Sequence, residues 1–223
     1  MFGIDEERPK SSWLDEAVLR FEQDNDALIL QTRSLLNRVV PNGALHGRFV
    51  NTLSMLEHMG CHKILSTQHS SGIDQETLKH IAEEAHHAFF MKRQAEKAAG
   101  RPLEFVANDL LAPASARMYF QRLEAAMLRT PERRRSARAI YLYMSLIVEF
   151  RALWFYRLYQ QTLKRNGHPM SLKRVLGEEQ NHLRDIAHTL EAAGDLDDAR
   201  VSEYLGREKA LYTRLLGAMQ DAV

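Results

Sequence analysis

The chain has 223 residues, of which 45% are hydrophobic and 26% charged, a composition that is ordinary for a globular protein of one large or two small domains. Thirty Lys and Arg residues against 29 Asp and Glu residues give a formal net charge of +1, which argues against a nucleic-acid binder held by a broad basic face. The single cysteine, Cys61, excludes an internal disulfide framework and any cysteine-held iron–sulfur cluster within one chain.

The distribution of apolar residues along the sequence predicts neither a targeting signal nor a membrane-spanning segment. The N-terminal stretch MFGIDEERPK contains acidic residues and no apolar run behind them, so no secretory signal is predicted. The longest apolar stretch, 141–148, is far below the roughly 20 residues that a membrane helix requires. We therefore expect a cytoplasmic protein without membrane or nucleic-acid partners.

Helical periodicity dominates the sequence, and neither β-alternation nor a glycine-rich phosphate-binding motif is present. The connector 101–131 contains a further amphipathic stretch at 118–128. In chain order, the predicted long helices cover residues 12–40, 45–65, 74–100, 133–165, 171–194 and 197–221.

The loop lengths predict how these helices pack. Short loops join the second helix to the third and the fourth to the fifth, whereas about 30 residues separate the third from the fourth. This order favours two antiparallel hairpins with one long crossover, which is a standard four-helix-bundle topology. We predict a single all-α domain over 1–223, with a core bundle at about 45–194 and flanking helices at 12–40 and 197–221.

A repeated pattern of acids and histidines lies on the four bundle helices. Glu57 is followed by EEAHH at 83–87, and Glu149 is followed by EEQNH at 178–182. Residues i and i+3 share a helix face, so each Glu-x-x-His pair can direct a carboxylate and an imidazole into one volume. Four carboxylates and two imidazoles suit two iron or manganese ions.

Helical faces decide which members of each repeat point inward. Glu179 and His182 align with the apolar residues Val175 and Ile186, whereas Glu178 aligns with a polar row that we expect to face solvent. Aligning the two repeats keeps only the second Glu and the last His. The predicted ligands are Glu57, Glu84, His87, Glu149, Glu179 and His182. Burying these carboxylates costs several kcal/mol each unless they are paired or bind metal.

This order of residues resembles the ferritin-like di-iron carboxylate superfamily over roughly residues 45–194. The resemblance implies a ferritin-like bundle that holds two iron ions, or one manganese and one iron. It implies bridging roles for Glu84 and Glu179, and it implies terminal ligation by Glu57, Glu149, His87 and His182.

Three further residues have two interpretations each. His80 lies four residues before Glu84 and is either a third imidazole ligand, as in some oxygenase branches, or a histidine beside the site or on the surface, which we favour. Tyr156 shares a face with Glu149, so it either lines a substrate pocket or packs in the core. Cys61 follows Glu57 by one turn and either lines the pocket or is a packed thiol.

Several kinds of protein share such a site, and the aromatic residues near Glu149 together with the helices outside the bundle favour an oxygenase or oxidase that activates O₂, takes electrons from a donor and oxidises a small, apolar organic substrate. Helices outside the bundle would build the pocket, and a monomer or homodimer is expected. One alternative is a ferroxidase or a peroxide-detoxifying protein like ferritins and rubrerythrins, although no second cysteine exists to hold a rubrerythrin-type iron. Another is a metal-free helical binding protein, in which the glutamates are satisfied by neighbouring histidines and arginines.

Overall fold

A computed structural model describes residues 12–67, 72–128 and 137–223. These residues form eight α-helices and one 3₁₀ turn at Ala107–Asp109, and no β-strand occurs among them, which confirms the all-α class. The helices are α1 (Ser12–Asp24), α2 (Asp26–Val39), α3 (Gly43–Thr67), α4 (Gln75–Ala99), α5 (Pro113–Leu128), α6 (Ala137–Arg165), α7 (Lys173–Ala192) and α8 (Asp198–Asp221).

Local capping chemistry sets several helix ends where the sequence predicts them. The Asp74 carboxylate accepts a hydrogen bond from the Thr77 amide (2.8 Å) at the start of α4, and Asp197 accepts one from Arg200 at the start of α8. Gly100 ends α4 with a φ of 68°, a conformation that glycine adopts without a Cβ penalty. The sequence predicts that the fifth long helix begins at Ser171, but α7 begins at Lys173 and Leu172 occupies its cap position without a side-chain hydrogen bond.

The flanking segment 12–40, for which the sequence predicts one or two helices, forms two helices that meet at Asn25. The Asn25 side chain donates to the carbonyl of Phe21 and accepts from Arg151 on α6. These bonds hold Asn25 in a non-helical conformation (φ −101°, ψ 5°). The sequence pattern does not show where the helix breaks, because the interruption involves a residue 126 positions away.

Helices α3 and α4 form a tight antiparallel hairpin. A Cβ on Gly47 would lie 2.9 Å from the Ala99 Cβ, so glycine is required for this approach at one end of the pair. Further along, Ser54 donates to the Ala88 carbonyl (2.7 Å). The close spacing brings the side chains of α3 within reach of those on the inner face of α4.

Helices α6 and α7 form the second antiparallel hairpin, and the two hairpins touch through α3–α6 and α4–α7 contacts. Tyr143 near the start of α6 donates to the Asp195 carbonyl beyond the end of α7. At the other end, Gln160 of α6 accepts from the amide of Leu172. The connector before α5 is fastened to α3, since Asn51 donates to the carbonyls of Glu104 and Asp109.

Helix α6 occupies the centre of the fold. Within the described part of the chain it is the one helix that is long and apolar enough to cross a membrane, and 83% of its most apolar stretch is buried in the protein. A buried core helix meets the same criterion. The absence of a membrane partner therefore stays a prediction.

A buried ion pair fastens the flanking helices to α6. The Arg151 guanidinium donates to both carboxylate oxygens of Glu208 on α8, at 2.9 and 2.8 Å, and also to Asn25. Tyr119 of α5 donates to the same carboxylate, while the Tyr212 ring lies 4.1 Å from the guanidinium carbon. This network joins the α1–α2 junction, α5, α6 and α8.

His46 is buried near the start of α3. Its Nε2 lies 2.5 Å from the Tyr159 hydroxyl, its Nδ1 has no hydrogen-bond partner among the described residues, and its ring packs against that of His168. Burial, followed by repulsion from His168, lowers the pKa of His46 to about 4. The fold therefore holds this imidazole neutral.

We expect Glu208→Leu to destabilise the protein by about 3–5 kcal/mol, because it leaves the Arg151 charge buried and unpaired. The double variant Arg151→Met, Glu208→Leu should be more stable than Glu208→Leu alone, since it removes the buried charge as well. Urea denaturation of Glu208→Leu, of Arg151→Met alone and of the double variant measures this difference. A double variant that loses the sum of the two single losses would contradict the interpretation.

Acidification should also destabilise the fold through His46. The unfolded chain takes up this proton near the ordinary pKa of 6.5, whereas the fold resists it down to about pH 4. The contribution of His46 to the free energy of unfolding is therefore fully present above pH 6.5. It decreases by on the order of 3 kcal/mol as the pH falls towards 4. Denaturation of His46→Gln between pH 4 and 7 should show a shallower decline than the wild type; parallel curves would refute this assignment.

Candidate metal centre

The four central helices each direct ligand-type side chains into one buried volume. Glu57 comes from α3, Glu149 comes from α6, and α4 and α7 each supply a Glu-x-x-His pair. All six predicted ligands meet there, and His80 joins them. Six of the seven are at least 93% buried, namely His80, Glu84, His87, Glu149, Glu179 and His182. The seventh, Glu57, is partly buried.

The seven side chains divide into two groups of four that share Glu84. In each group, one ligand atom from every residue lies within 4.8 Å of the others. We call His80, Glu84, Glu149 and His182 the histidine-rich half. We call Glu57, Glu84, His87 and Glu179 the carboxylate-rich half. A carboxylate that belongs to both halves is placed to bridge two ions.

Glu179 also lies between the two halves. Its Oε1 is 3.4 Å from Nδ1 of His87, and its Oε2 is 3.2 Å from Nδ1 of His182. The two oxygens of one carboxylate thus face different halves. The resemblance assigns bridging roles to Glu84 and Glu179. In the structure, both residues lie between the two halves of the cluster.

Each of the three histidines is held from outside the cluster through the nitrogen that faces away from it. Nε2 of His87 lies 2.9 Å from Glu178, and Nε2 of His182 lies 2.8 Å from Glu83, which leaves both Nδ1 atoms facing inward. His80 has the opposite orientation, because its Nδ1 lies 3.0 Å from the Tyr141 hydroxyl. An imidazole fixed by an oxygen on its outer nitrogen is typical of a metal ligand.

Sequence reasoning missed the roles of Glu83 and Glu178. Glu178 was expected to face solvent, but its side chain is only 16% exposed and it contacts His87 while also accepting from Arg174. Each carboxylate holds the histidine of the opposite hairpin. The sequence does show two adjacent glutamates in each repeat. Only the packing of α4 against α7 reveals that the first glutamate of each repeat contacts the histidine of the other hairpin.

His80 is buried at the cluster and not on the surface, which leaves two of its sequence interpretations, a third imidazole ligand or a histidine beside the site. It is 7% exposed, and its Nε2 lies 3.2 Å from Glu149 and 3.6 Å from Glu84. The signal in the sequence is its position one turn before Glu84, on the same helix face. The structure therefore places a third imidazole inside the cluster.

Full ionisation of the four carboxyl groups is unfavourable in this cluster. Burial, followed by repulsion from neighbouring glutamates, raises the pKa values of Glu57, Glu149 and Glu179 well above the ordinary value. For Glu84, burial acts in the same sense, but the adjacent His80, His87 and His182 outweigh it and lower its pKa. A site that raises the pKa of three carboxyl groups attracts cations, whether protons or metal ions.

The histidine pKa values also reflect this charge. Burial lowers the pKa of His80, yet the neighbouring Glu84 and Tyr141 outweigh burial and raise it to about 9. The pKa of His182 is lowered, first by burial and then by His80, whose ring centre is 4.2 Å away. Because ligands bind in their deprotonated forms, metal binding to this cluster would release protons.

Some buried polar atoms inside the cluster have no hydrogen-bond partner among the described residues. Glu84 Oε1, Glu149 Oε2 and His87 Nδ1 are buried without a hydrogen-bond partner among the described residues. Such atoms cost free energy in a purely polar network. Two of them are carboxylate oxygens and one is an inward imidazole nitrogen, so the donor set fits hard or borderline divalent cations.

Three cavities reach the cluster. The largest, about 330 Å³, ends at His80 and His182 and has a polar rim that includes Asp74, Glu83 and Asp185. A cavity of about 40 Å³ lies against Glu84 and Glu149, which is enough space for a molecule of the size of water. Small ligands can therefore approach the histidine-rich half from two sides.

The third cavity, about 100 Å³, is apolar and lies between the bundle and helices α2, α5 and α8. Glu57 and Tyr156 form its floor, and the Tyr156 hydroxyl donates a hydrogen bond to Glu57. Cys61 does not line any of the three cavities; its thiol faces the Ile81 carbonyl between α3 and α4. Tyr156 thus reaches the cluster, whereas Cys61 packs beside it.

The arrangement can hold one or two divalent cations, place small molecules beside them, and donate a proton at the Tyr156 hydroxyl. Comparison of the chain with models of protein families, with curated proteins and with solved structures gave no match. The chemistry of the site must therefore be inferred from its own residues.

Proposed function

We propose that this protein is a di-iron, or manganese–iron, oxygenase or oxidase built on a ferritin-like four-helix bundle of α3, α4, α6 and α7. One observation carries the proposal. Four helices direct four carboxylates and three imidazoles into one buried cluster, whose two halves share Glu84. A dinuclear carboxylate site requires this kind of donor set and this kind of sharing.

The unpaired atoms support a metal site over a buried polar network. In a metal-free binding protein, histidines and arginines would have to satisfy the glutamates. No arginine or lysine pairs with the four clustered carboxylates among the described ion pairs. Oxygen atoms of Glu84 and Glu149 remain without partners, whereas a divalent cation would satisfy them together.

The donor types support iron or manganese. Carboxylates suit manganese, imidazoles suit iron, and no thiolate lies in either half. When bound, two such ions supply the redox chemistry through which O₂ oxidises an organic substrate, with electrons from a separate donor. Iron in such a site is consistent with the oxidoreductase function that the sequence resemblance favours.

The chain's own residues supply the remaining functions. Glu83, Glu178 and Tyr141 orient the three imidazoles. Tyr156 holds a proton at its hydroxyl, next to Glu57, and burial raises the pKa of this tyrosine well above its ordinary value. The surrounding apolar helices exclude bulk water. A small substrate can approach through the polar cavity at His80 or through the apolar cavity at Glu57.

One observation favours the ferroxidase alternative. Four acidic residues and two basic ones lie around the largest cavity, namely Asp74, Glu76, Glu83, Asp185, Lys79 and Arg138. Such a mouth suits the entry of Fe²⁺ as a substrate. A ferroxidase would oxidise iron in many turnovers without an organic substrate, whereas an oxygenase would retain its ions and consume O₂ with an organic compound.

Metal analysis tests the site directly. The protein expressed with supplemented iron and manganese should contain about two metal ions per chain, and Glu84→Ala or Glu179→Ala should lose most of them because each removes a shared ligand. Glu203→Ala, at an exposed position on α8, serves as the control and should retain both ions. Full metal content in Glu84→Ala and Glu179→Ala, measured by plasma emission spectroscopy, would refute the ligand assignment.

The outer carboxylates should tune metal affinity without being ligands. We expect Glu83→Gln and Glu178→Gln each to weaken metal binding by about 10–100-fold, because His182 and His87 lose the partners that orient them. Competition with a chelator measures this change, and Glu203→Gln is the matched control. Wild-type affinity in both outer variants would show that these contacts do not position the histidines.

A further inference from the structure

The two halves of the cluster differ in their donor atoms. The histidine-rich half contains two imidazoles, from His80 and His182, whereas the carboxylate-rich half contains only that of His87. Three carboxylates complete the carboxylate-rich half and two complete the other. Because the second oxygen of Glu179 faces His182, the difference between the halves amounts to one additional nitrogen in the histidine-rich half.

The difference in the number of imidazoles comes from one position in the repeated pattern of α4 and α7. On α4 the residue four positions before the central glutamate is His80, and on α7 the corresponding residue before Glu179 is Val175. Val175 is 4% exposed and belongs to the hydrophobic core. The two hairpins therefore contribute equivalent Glu-x-x-His pairs but only one additional imidazole.

His80 is fixed in the position of a ligand. Its Nε2 lies 3.2 Å from Glu149 Oε1, and its outer Nδ1 lies 3.0 Å from the Tyr141 hydroxyl. Its ring centre is 4.2 Å from that of His182, so the two imidazoles face the same half. Because Tyr141 restrains the ring, the second nitrogen is directed at the cluster without a large entropic cost.

Donor type decides which divalent ion gains more from each half. Imidazole suits iron and cobalt, carboxylate suits manganese, and Mn²⁺ is the weakest binder in the series that rises through Fe²⁺ and Co²⁺. An additional nitrogen therefore widens the preference for Fe²⁺ or Co²⁺ over Mn²⁺. An additional carboxylate narrows it.

We propose that the two halves select different metals, so that the histidine-rich half binds iron while the carboxylate-rich half retains manganese when both ions are available. This inference rests on the metal centre proposed above and adds which end of it holds which ion. The larger cavity ends at His80 and His182. The iron would therefore lie at the end that exogenous molecules reach through that cavity.

Metal-specific diffraction tests this selectivity. The full-length protein is loaded anaerobically with one equivalent of Co²⁺, which resists oxidation, and an excess of Mn²⁺, and anomalous scattering is recorded at both absorption edges. The expected result places cobalt in the histidine-rich half and manganese in the carboxylate-rich half. Cobalt in the carboxylate-rich half, or divided evenly between the halves, would overturn the inference while leaving the metal centre intact. If neither ion binds, the metal centre fails as well.

Two variants locate the cause of the selectivity. His80→Gln should lower the affinity for the first Co²⁺ equivalent at least about tenfold and should divide cobalt between the halves. His86→Gln is the control, because His86 is partly exposed on the same helix and lies outside both halves; it should keep the wild-type pattern. Unchanged cobalt affinity and placement in His80→Gln would show that His80 does not determine the preference.

Discussion

Four neighbouring carboxylates lie in the middle of this helical protein, three of them buried and Glu57 partly buried, and the surrounding helices must pack so as to satisfy them. An ionised carboxylate loses several kcal/mol of solvation in such an interior, and mutual repulsion among Glu57, Glu84, Glu149 and Glu179 increases this cost. Three imidazoles offset part of it. A cation at this position would offset the rest of the cost of ionising all four carboxyl groups.

A second buried charge in the same protein shows the opposite solution. Arg151 and Glu208 satisfy one another through two hydrogen bonds, while Asn25 and Tyr119 occupy further donor and acceptor positions. That pair needs no additional ion, and its effect is to attach the flanking helices to α6. The carboxylate cluster has no arginine or lysine facing it among the described ion pairs, and it keeps oxygen atoms of Glu84 and Glu149 without a hydrogen-bond partner, whereas the ion pair leaves only Nη1 of Arg151 without one. The contrast separates a structural ion pair from a candidate functional site within one fold.

The flanking helices also affect what can reach the cluster. Helices α2, α5 and α8 cover one side and leave a small apolar cavity whose floor is Glu57 and Tyr156. On the other side, a larger polar cavity ends at His80 and His182. The two halves of the cluster thus differ both in their donor atoms and in the polarity of the cavity that reaches them. Two hairpins with identical repeats would not produce this asymmetry.

The sequence by itself determined the features that depend on neighbouring residues. The ends of α4 and α8 were predictable because Asp74, Gly100 and Asp197 act on adjacent backbone groups. The inward direction of the two Glu-x-x-His pairs was predictable because i,i+3 spacing fixes a helix face. Tertiary structure decided the features that depend on how different helices face one another: His80 inside the cluster, Glu83 and Glu178 on opposite histidines, and the interruption at Asn25. Periodicity gives the face of a helix but not the residues that it meets, and these contacts join residues 61 to 126 positions apart.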